Sequence, residues 1–132
     1  MDEPTTVGLT ERAHDNLRRL KDNGYFDELV DAYRFAVAFA LASGYDIHNE
    51  ALPSEQPKRT TIFNVGTLDP AQKLQAVVRS LGSVESEPIY KTIERLAEYG
   101  VKELTQRMEN GQLNILAMLE EAERKATEEF SQ

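Results

Sequence analysis

The residues best equipped for chemistry stand together in Asp46-Ile47-His48-Asn49-Glu50. In extended backbone, alternate residues point the same way, so Asp46, His48 and Glu50 would bring two carboxylates and an imidazole to one side. These donor types can hold a divalent cation, but such a site needs three fixed ligands and neighbours that orient them. A polar run of this kind is expected to be solvated, so no metal and no cofactor are expected. Gly66, in NVGTLDP, precedes a helix start, where backbone N–H groups can receive an anion. It lacks the further glycines and the lysine of a phosphate loop, and Asp69 already serves the helix end; a strand-to-helix turn is expected. His14 beside Asp15 reads as a surface residue of a helix. With two histidines, no cysteine and no Ser-centred glycine motif, a nucleophile, its base and an orienting group have little to be built from. A non-enzymatic protein is expected.

The elements that would position any site come from one domain spanning 1–132. A chain of this length buries roughly two-thirds of its unfolded surface and needs no disulfide to do so. The start, MDEPTT, has neither the basic nor the apolar region of a signal peptide. The longest apolar run, residues 30–42, is interrupted by Asp31 and Arg34 and falls short of the roughly 20 residues of a membrane span. A soluble cytoplasmic protein is expected, with no membrane partner. The net charge of −8 divides into −5 over residues 1–50, zero over 51–109 and −3 over 110–132. Acidic ends repel nucleic acid at long range, so DNA is disfavoured as a partner.

Periodicity predicts a mainly α fold, with about five helices in a compact bundle and two short strands near 5–10 and 60–65. Its parts are an N-terminal strand-helix-helix (5–44), a loop (45–59), and a C-terminal strand with three helices (60–128). Thr10 is the N-cap of the first helix, Ala13, Leu17 and Leu20 form its inner face, and Gly24 ends it. Asp27 or Asp31 opens a central helix that Ser43-Gly44 closes. Apart from Arg34, residues 32–42 of that helix are apolar or aromatic, so it cannot face water on any broad side. Asp69, Pro70 and Gln72 read as N-cap, first helical residue and capping-box partner of the next helix, with Leu74, Val77, Val78 and Leu81 buried. Ser86 or Glu87 opens a long helix on which Ile89, Ile93, Leu96, Ala97, Val101, Leu104 and Met108 keep one register. Gly100 within that stripe marks a close helix crossing. Leu113 to about Ala126 forms a last amphipathic helix, and Glu120, Glu121, Glu123, Glu128 and Glu129 give it a solvated acidic side.

Two resemblances bear on function. The opening strand-helix-helix resembles the ribbon-helix-helix fold of small prokaryotic regulators, in which the strand pairs with its twin across a dimer and enters the major groove. Here the outward strand residues are Thr6, Gly8 and Thr10, which lack the long basic or amide side chains that read base edges. The runs DAYRFAVAFALASGYDIHNEALP (31–53) and YKTIERLAEYGVKEL (90–104) are similar to small accessory proteins of bacterial DNA phosphorothioation clusters, including their small helical component. That resemblance implies a place in a DNA-modification or phage-defence assembly, with other proteins of the complex as partners and DNA contact through basic residues. The candidates for such contact are Arg18, Arg19, Lys58 and Arg59. Lysines and arginines along the middle helices have acids nearby, Glu94, Glu98 and Glu103 among them, and read as solvated faces. The breadth of the central apolar helix points to a homo-oligomer, with Val7, Leu9, Tyr33, Phe35, Val37, Phe39 and Leu41 as its expected core.

The expected function is a non-enzymatic adaptor or interaction subunit; the alternative is a dimeric ribbon-helix-helix-like DNA binder, a regulator or antitoxin. Fluorescence anisotropy with intact and nicked duplex DNA separates the two. The adaptor gives no binding even at low salt. The DNA binder gives micromolar affinity that falls steeply with salt and is lost on changing Arg18, Arg19 or Lys58 to alanine.

Overall fold

The computed structural model describes residues 6–44, 59–81 and 88–130. The elements run β1 (Thr6–Thr10), α1 (Glu11–Asp22), α2 (Leu29–Ala42), β2 (Arg59–Asn64), α3 (Val65–Leu68), α4 (Lys73–Leu81), α5 (Ile89–Glu109) and α6 (Ile115–Phe130). The protein is mainly helical with a two-stranded antiparallel sheet, as the periodicity predicts. The helix beyond the expected five is α3, a single turn where the sequence reads as a plain connection. The expected loop, with Asp46, His48, Glu50 and Lys58, lies outside the described residues, as do Ser86 and Glu87.

Local chemistry explains most boundaries. Thr10 caps α1, its hydroxyl accepting the Ala13 N–H at 3.3 Å. Gly24, at φ +85°, takes the left-handed conformation that ends the helix without a Cβ penalty. Two starts differ from expectation. Helix α2 begins after Glu28, not at Asp27 or Asp31, and Glu28 makes no side-chain cap bond. Helix α4 begins at Lys73, because Gln72 adopts φ +55° and breaks the helix that Pro70 was expected to start. Asp69 nevertheless caps it from a distance, accepting the N–H groups of Leu74 at 3.0 Å and Gln75 at 2.9 Å. The carboxylate reaches past an irregular turn to the same orphan donors an adjacent N-cap would satisfy.

The core is the contact of α2 with α5, the most extensive pairing of elements in the fold. Ala32, Ala36 and Ala40 recur every fourth residue on α2, with Tyr33 and Val37 beside them, and all five are buried. Facing them, α5 buries Ile93, Leu96, Ala97, Gly100, Val101 and Leu104. Gly100 sits at the crossing, as its place in the stripe predicts. A Cβ there would overlap the Ala36 carbonyl, coming within 2.6 Å of its carbon and 2.9 Å of the Ala36 Cα. Helix α1 closes this pair with Ala13, Leu17 and Leu20.

The sheet lies over the same core. β1 pairs with β2 within the chain, Val7 opposite Phe63 and Leu9 opposite Thr60, with a register shift between Val7 and Gly8. Val7 and Leu9 point inward and are fully buried, and the Tyr33 ring meets the Phe63 ring edge-on at 5.5 Å. The strands therefore pair inside one protomer, a point the sequence left open.

Gly100→Ala is expected to destabilise the protein by about 2 kcal/mol or more, despite a gain of roughly 1 kcal/mol in helix propensity, because the overlap is with backbone. Urea denaturation followed by helical circular dichroism measures it. A stability equal to or above the parent would mean that the two helices separate freely at this point.

Candidate functional site

Three surfaces are candidates: the edge of β1, a polar groove between α1 and α5, and an apolar groove between α2 and α4.

A strand edge presents unpaired N–H and C=O groups to any incoming strand. On β1 those of Gly8 and the Thr10 N–H are already occupied. The Gly8 N–H donates to Glu94 Oε2 at 2.7 Å, and the Thr10 N–H donates to Glu98 Oε1. The Gly8 carbonyl accepts from the buried Tyr33 hydroxyl at 3.2 Å. Thr10 Oγ1 also donates to Glu98 Oε2 at 3.2 Å while accepting from Ala13, so both halves of the hydroxyl are used. Glu94 and Glu98 are one helical turn apart on α5, which matches the two-residue repeat along the strand edge. The sequence reads them as members of solvated charge pairs; instead their carboxylates reach back to seal the strand. A twin strand adding at Gly8 and Thr10 would have to break three bonds.

The polar groove, about 440 Å³, is lined by Thr10, Arg12, Asn16, Arg19, Glu98, Lys102, Thr105 and Glu109, among others. Its charges alternate in sign. Arg19 pairs with Glu109 at 2.9 Å and bonds Asn16, and both members of the ion pair are about half exposed. Such a pair stabilises by roughly 0–1 kcal/mol, but it directs Arg19 at an acid of the same chain. Thr105 is 3% exposed and its hydroxyl has no hydrogen-bond partner. Among the DNA-contact candidates, Arg18 is exposed on α1, Arg19 is engaged with Glu109, and Arg59 stands opposite Thr10 in the sheet. Lys58 lies outside the described residues. Arg18 and Arg19 share helix α1, and Arg19 lines the polar groove with Arg12 and Lys102. His14 is half-buried on α1. Among the described residues, no three His, Cys, Asp or Glu side chains are grouped to hold a metal.

The residues expected to form an oligomer core divide into two sets. Val7, Leu9, Tyr33 and Val37 are enclosed by the chain's own elements. Phe35, Phe39 and Leu41 are half-buried. Phe35 rests against Phe26, ring centroids 5.4 Å apart, and the Arg107 guanidinium lies 4.9 Å over the Phe39 ring. That cation–π contact covers one flank of α2 at about 0.5–1 kcal/mol. Leu41 belongs to the other flank, which opens on the third surface.

This apolar groove, about 550 Å³, lies between the Arg34–Ala38–Leu41 line of α2 and Leu74 and Val77 of α4, with Leu68 and Pro70 at one end. Sequence periodicity places Val77 in the buried face of its helix; in the structure it is 46% exposed, while Val78 is buried. The apolar face of α4 is wider than the surface it packs against, so its outer part remains uncovered. Two devices hold the walls. Arg34 donates through Nε to the Leu68 carbonyl at 2.8 Å and through Nη2 to the Thr67 carbonyl at 2.9 Å, tying α2 to the C-terminal end of α3. Asp69 accepts the Tyr90 hydroxyl at 3.1 Å in addition to the α4 amides. With its amide turned to satisfy its neighbours, Gln75 donates to that hydroxyl at 3.2 Å and accepts from Arg79. A further apolar surface is on α6, where Ile115 and Met118 touch the core but Leu116 is 67% and Leu119 48% exposed. Sequence reasoning names this helix amphipathic without indicating that Leu116 and Leu119 stay open; the signal is the run Ile115-Leu116-Ala117-Met118-Leu119, which is wider than one buried stripe.

No family model, no curated protein and no solved structure matches this chain.

Asp69→Ala is expected to cost about 2–3 kcal/mol, since it strands two helix amides and the buried Tyr90 hydroxyl together. Tyr90→Phe, which removes one bond and leaves the cap, is expected to cost about 1 kcal/mol. Denaturant midpoints of the two variants check the order. Equal midpoints would mean that the cap contributes nothing to α4.

Proposed function

We propose that this protein is a non-enzymatic interaction subunit that docks a partner protein through the open apolar surface of α2 and α4. The observation that carries the reading is the groove between Leu41 and Val77. Its floor is apolar, its walls are fixed by Arg34 and Asp69, and Val77 stands 46% exposed at its edge. A preformed apolar groove rimmed by polar residues suits an amphipathic helix, whose apolar side chains at i, i+3 and i+4 enter the groove. The acidic ends of the chain then bias partner choice and disfavour anionic surfaces. If the resemblance read from residues 31–53 and 90–104 holds, the assembly is one that modifies bacterial DNA or defends against phage. Within it this subunit would hold proteins together, with DNA handled elsewhere in the complex.

Site-specific photocrosslinking tests the reading. A benzophenone side chain at Val77 is expected to yield a discrete protein adduct in extract from the host cell, lost when Leu74→Glu is added. The same probe at Arg18 is expected to yield none. A DNA adduct at Arg18 with no protein adduct at Val77 would overturn the proposal in favour of direct DNA binding.

A further inference from the structure

The polar groove between α1 and α5 is closed at both ends by the chain itself. At one end Thr10 donates its N–H and its hydroxyl to Glu98; at the other Arg19 pairs with Glu109 at 2.9 Å. Position 10 meets 98 and position 19 meets 109, so the two helices run side by side in the same direction. The two closures stand about 14 Å apart along α1, at roughly 1.5 Å per residue.

Between the closures the lining supplies donors. Arg12 and Asn16 come from α1, Lys102 and Thr105 from α5. Arg12 and Lys102 are exposed at the rim, and among the described residues neither has a hydrogen bond or an ion pair. Asn16 accepts from Arg19 through Oδ1 at 3.3 Å, which leaves its amide N–H groups uncommitted. Thr105, only 3% exposed, belongs to the floor, and its buried hydroxyl has no partner. Native structures rarely bury a hydroxyl unbonded. A helical threonine has two χ1 rotamers open to it, so this hydroxyl can turn toward a group seated above it.

The charge that suits these donors is negative. With Arg19 and Glu109 cancelling, the lining retains two cations against the single carboxylate of Glu98, whose oxygens already turn to Thr10. In a chain of net charge −8, such a positive excess is a local exception. Donors converging from two helices fit the three terminal oxygens of a phosphate better than the two coplanar oxygens of a carboxylate. A volume of about 440 Å³ leaves room for a small organic group beside the phosphate. A polynucleotide fits less well, because its flanking phosphates would fall against Glu98 and Glu109 at the closed ends.

We propose that this groove binds a small phosphate monoester. Arg12 and Lys102 hold the phosphate from the two helices, and Thr105 donates to it from the floor. Glu98 and Glu109 keep acceptor capacity for hydroxyls of the organic group. The site is separate from the docking surface of α2 and α4 and does not depend on it.

Titration of the full chain with glycerol phosphate at low salt, followed by amide NMR signals, tests the proposal, with glycerol and acetate as controls. Glycerol phosphate is expected to shift the signals of Asn16, Lys102 and Thr105 saturably, and the two controls to leave them in place at the same concentration. Arg12→Gln with Lys102→Gln is expected to raise the Kd about tenfold without change in helical content, since both side chains are exposed. Thr105→Val keeps the shape and removes the hydroxyl. It is expected to raise the Kd about threefold, while the thermal midpoint holds or rises because a buried hydroxyl without a partner is lost. Absence of saturation at tens of millimolar would overturn the proposal, as would equal shifts with acetate or undiminished binding by the double variant. Undiminished binding by Thr105→Val together with a lower midpoint would also overturn it, since the hydroxyl would then serve the fold alone. Shifts produced by duplex DNA and not by glycerol phosphate would overturn it in favour of a polynucleotide.

Discussion

Where α5 crosses α2, Gly100 lies so close to the Ala36 carbonyl that only a hydrogen fits between the two backbones. Close approach brings the flanking side chains, Tyr33, Val37, Leu96 and Val101, into full burial on both sides of the crossing. Dispersion contacts are individually small and fall off steeply with separation, so this closeness sets the quality of the whole core. It also fixes the level at which Tyr33, Glu94 and Glu98 meet β1. Moving the helices apart would withdraw the groups that hold the strand.

That strand has an unusual form of protection. Its outer edge is closed by side chains from two helices, with carboxylates accepting its amides and a phenol donating to its carbonyl. Sheets of two strands are marginal by themselves, and this one is supported on both β1 edges, by β2 on one and by α2 and α5 at Gly8 and Thr10 on the other. A strand held in this way is a structural part of the core.

Function is left to the surfaces that the core does not consume. The polar groove mixes charges of both signs and pairs Arg19 with Glu109. In the apolar groove, Arg34 and Asp69 bond backbone at the margin, with Lys73 beside them, and the rest of the lining is apolar.

By itself the sequence determined the five longer helices, the two strands and the central crossing, though not the single turn α3 or the starts of α2 and α4. Thr10, Gly24, Ser43-Gly44 and the long α5 register are local signals, because caps depend on neighbouring amides and helical period depends on a single chain segment. Gly100 was legible for the same reason, as a break in propensity inside an unbroken stripe. The start of α4 was less so, since Asp69 looks like an adjacent cap until the backbone at Gln72 is seen to turn the other way. What only tertiary structure decided was which apolar residues remain open. Tyr33 and Leu41, or Val77 and Val78, are equally apolar in sequence, and burial is assigned by whatever packs opposite. The partners of Glu94 and Glu98 were decided in the same way, about 86 residues away along the chain. A helix that is apolar on every side states that it must be covered; only the packed fold states on which side the cover is missing.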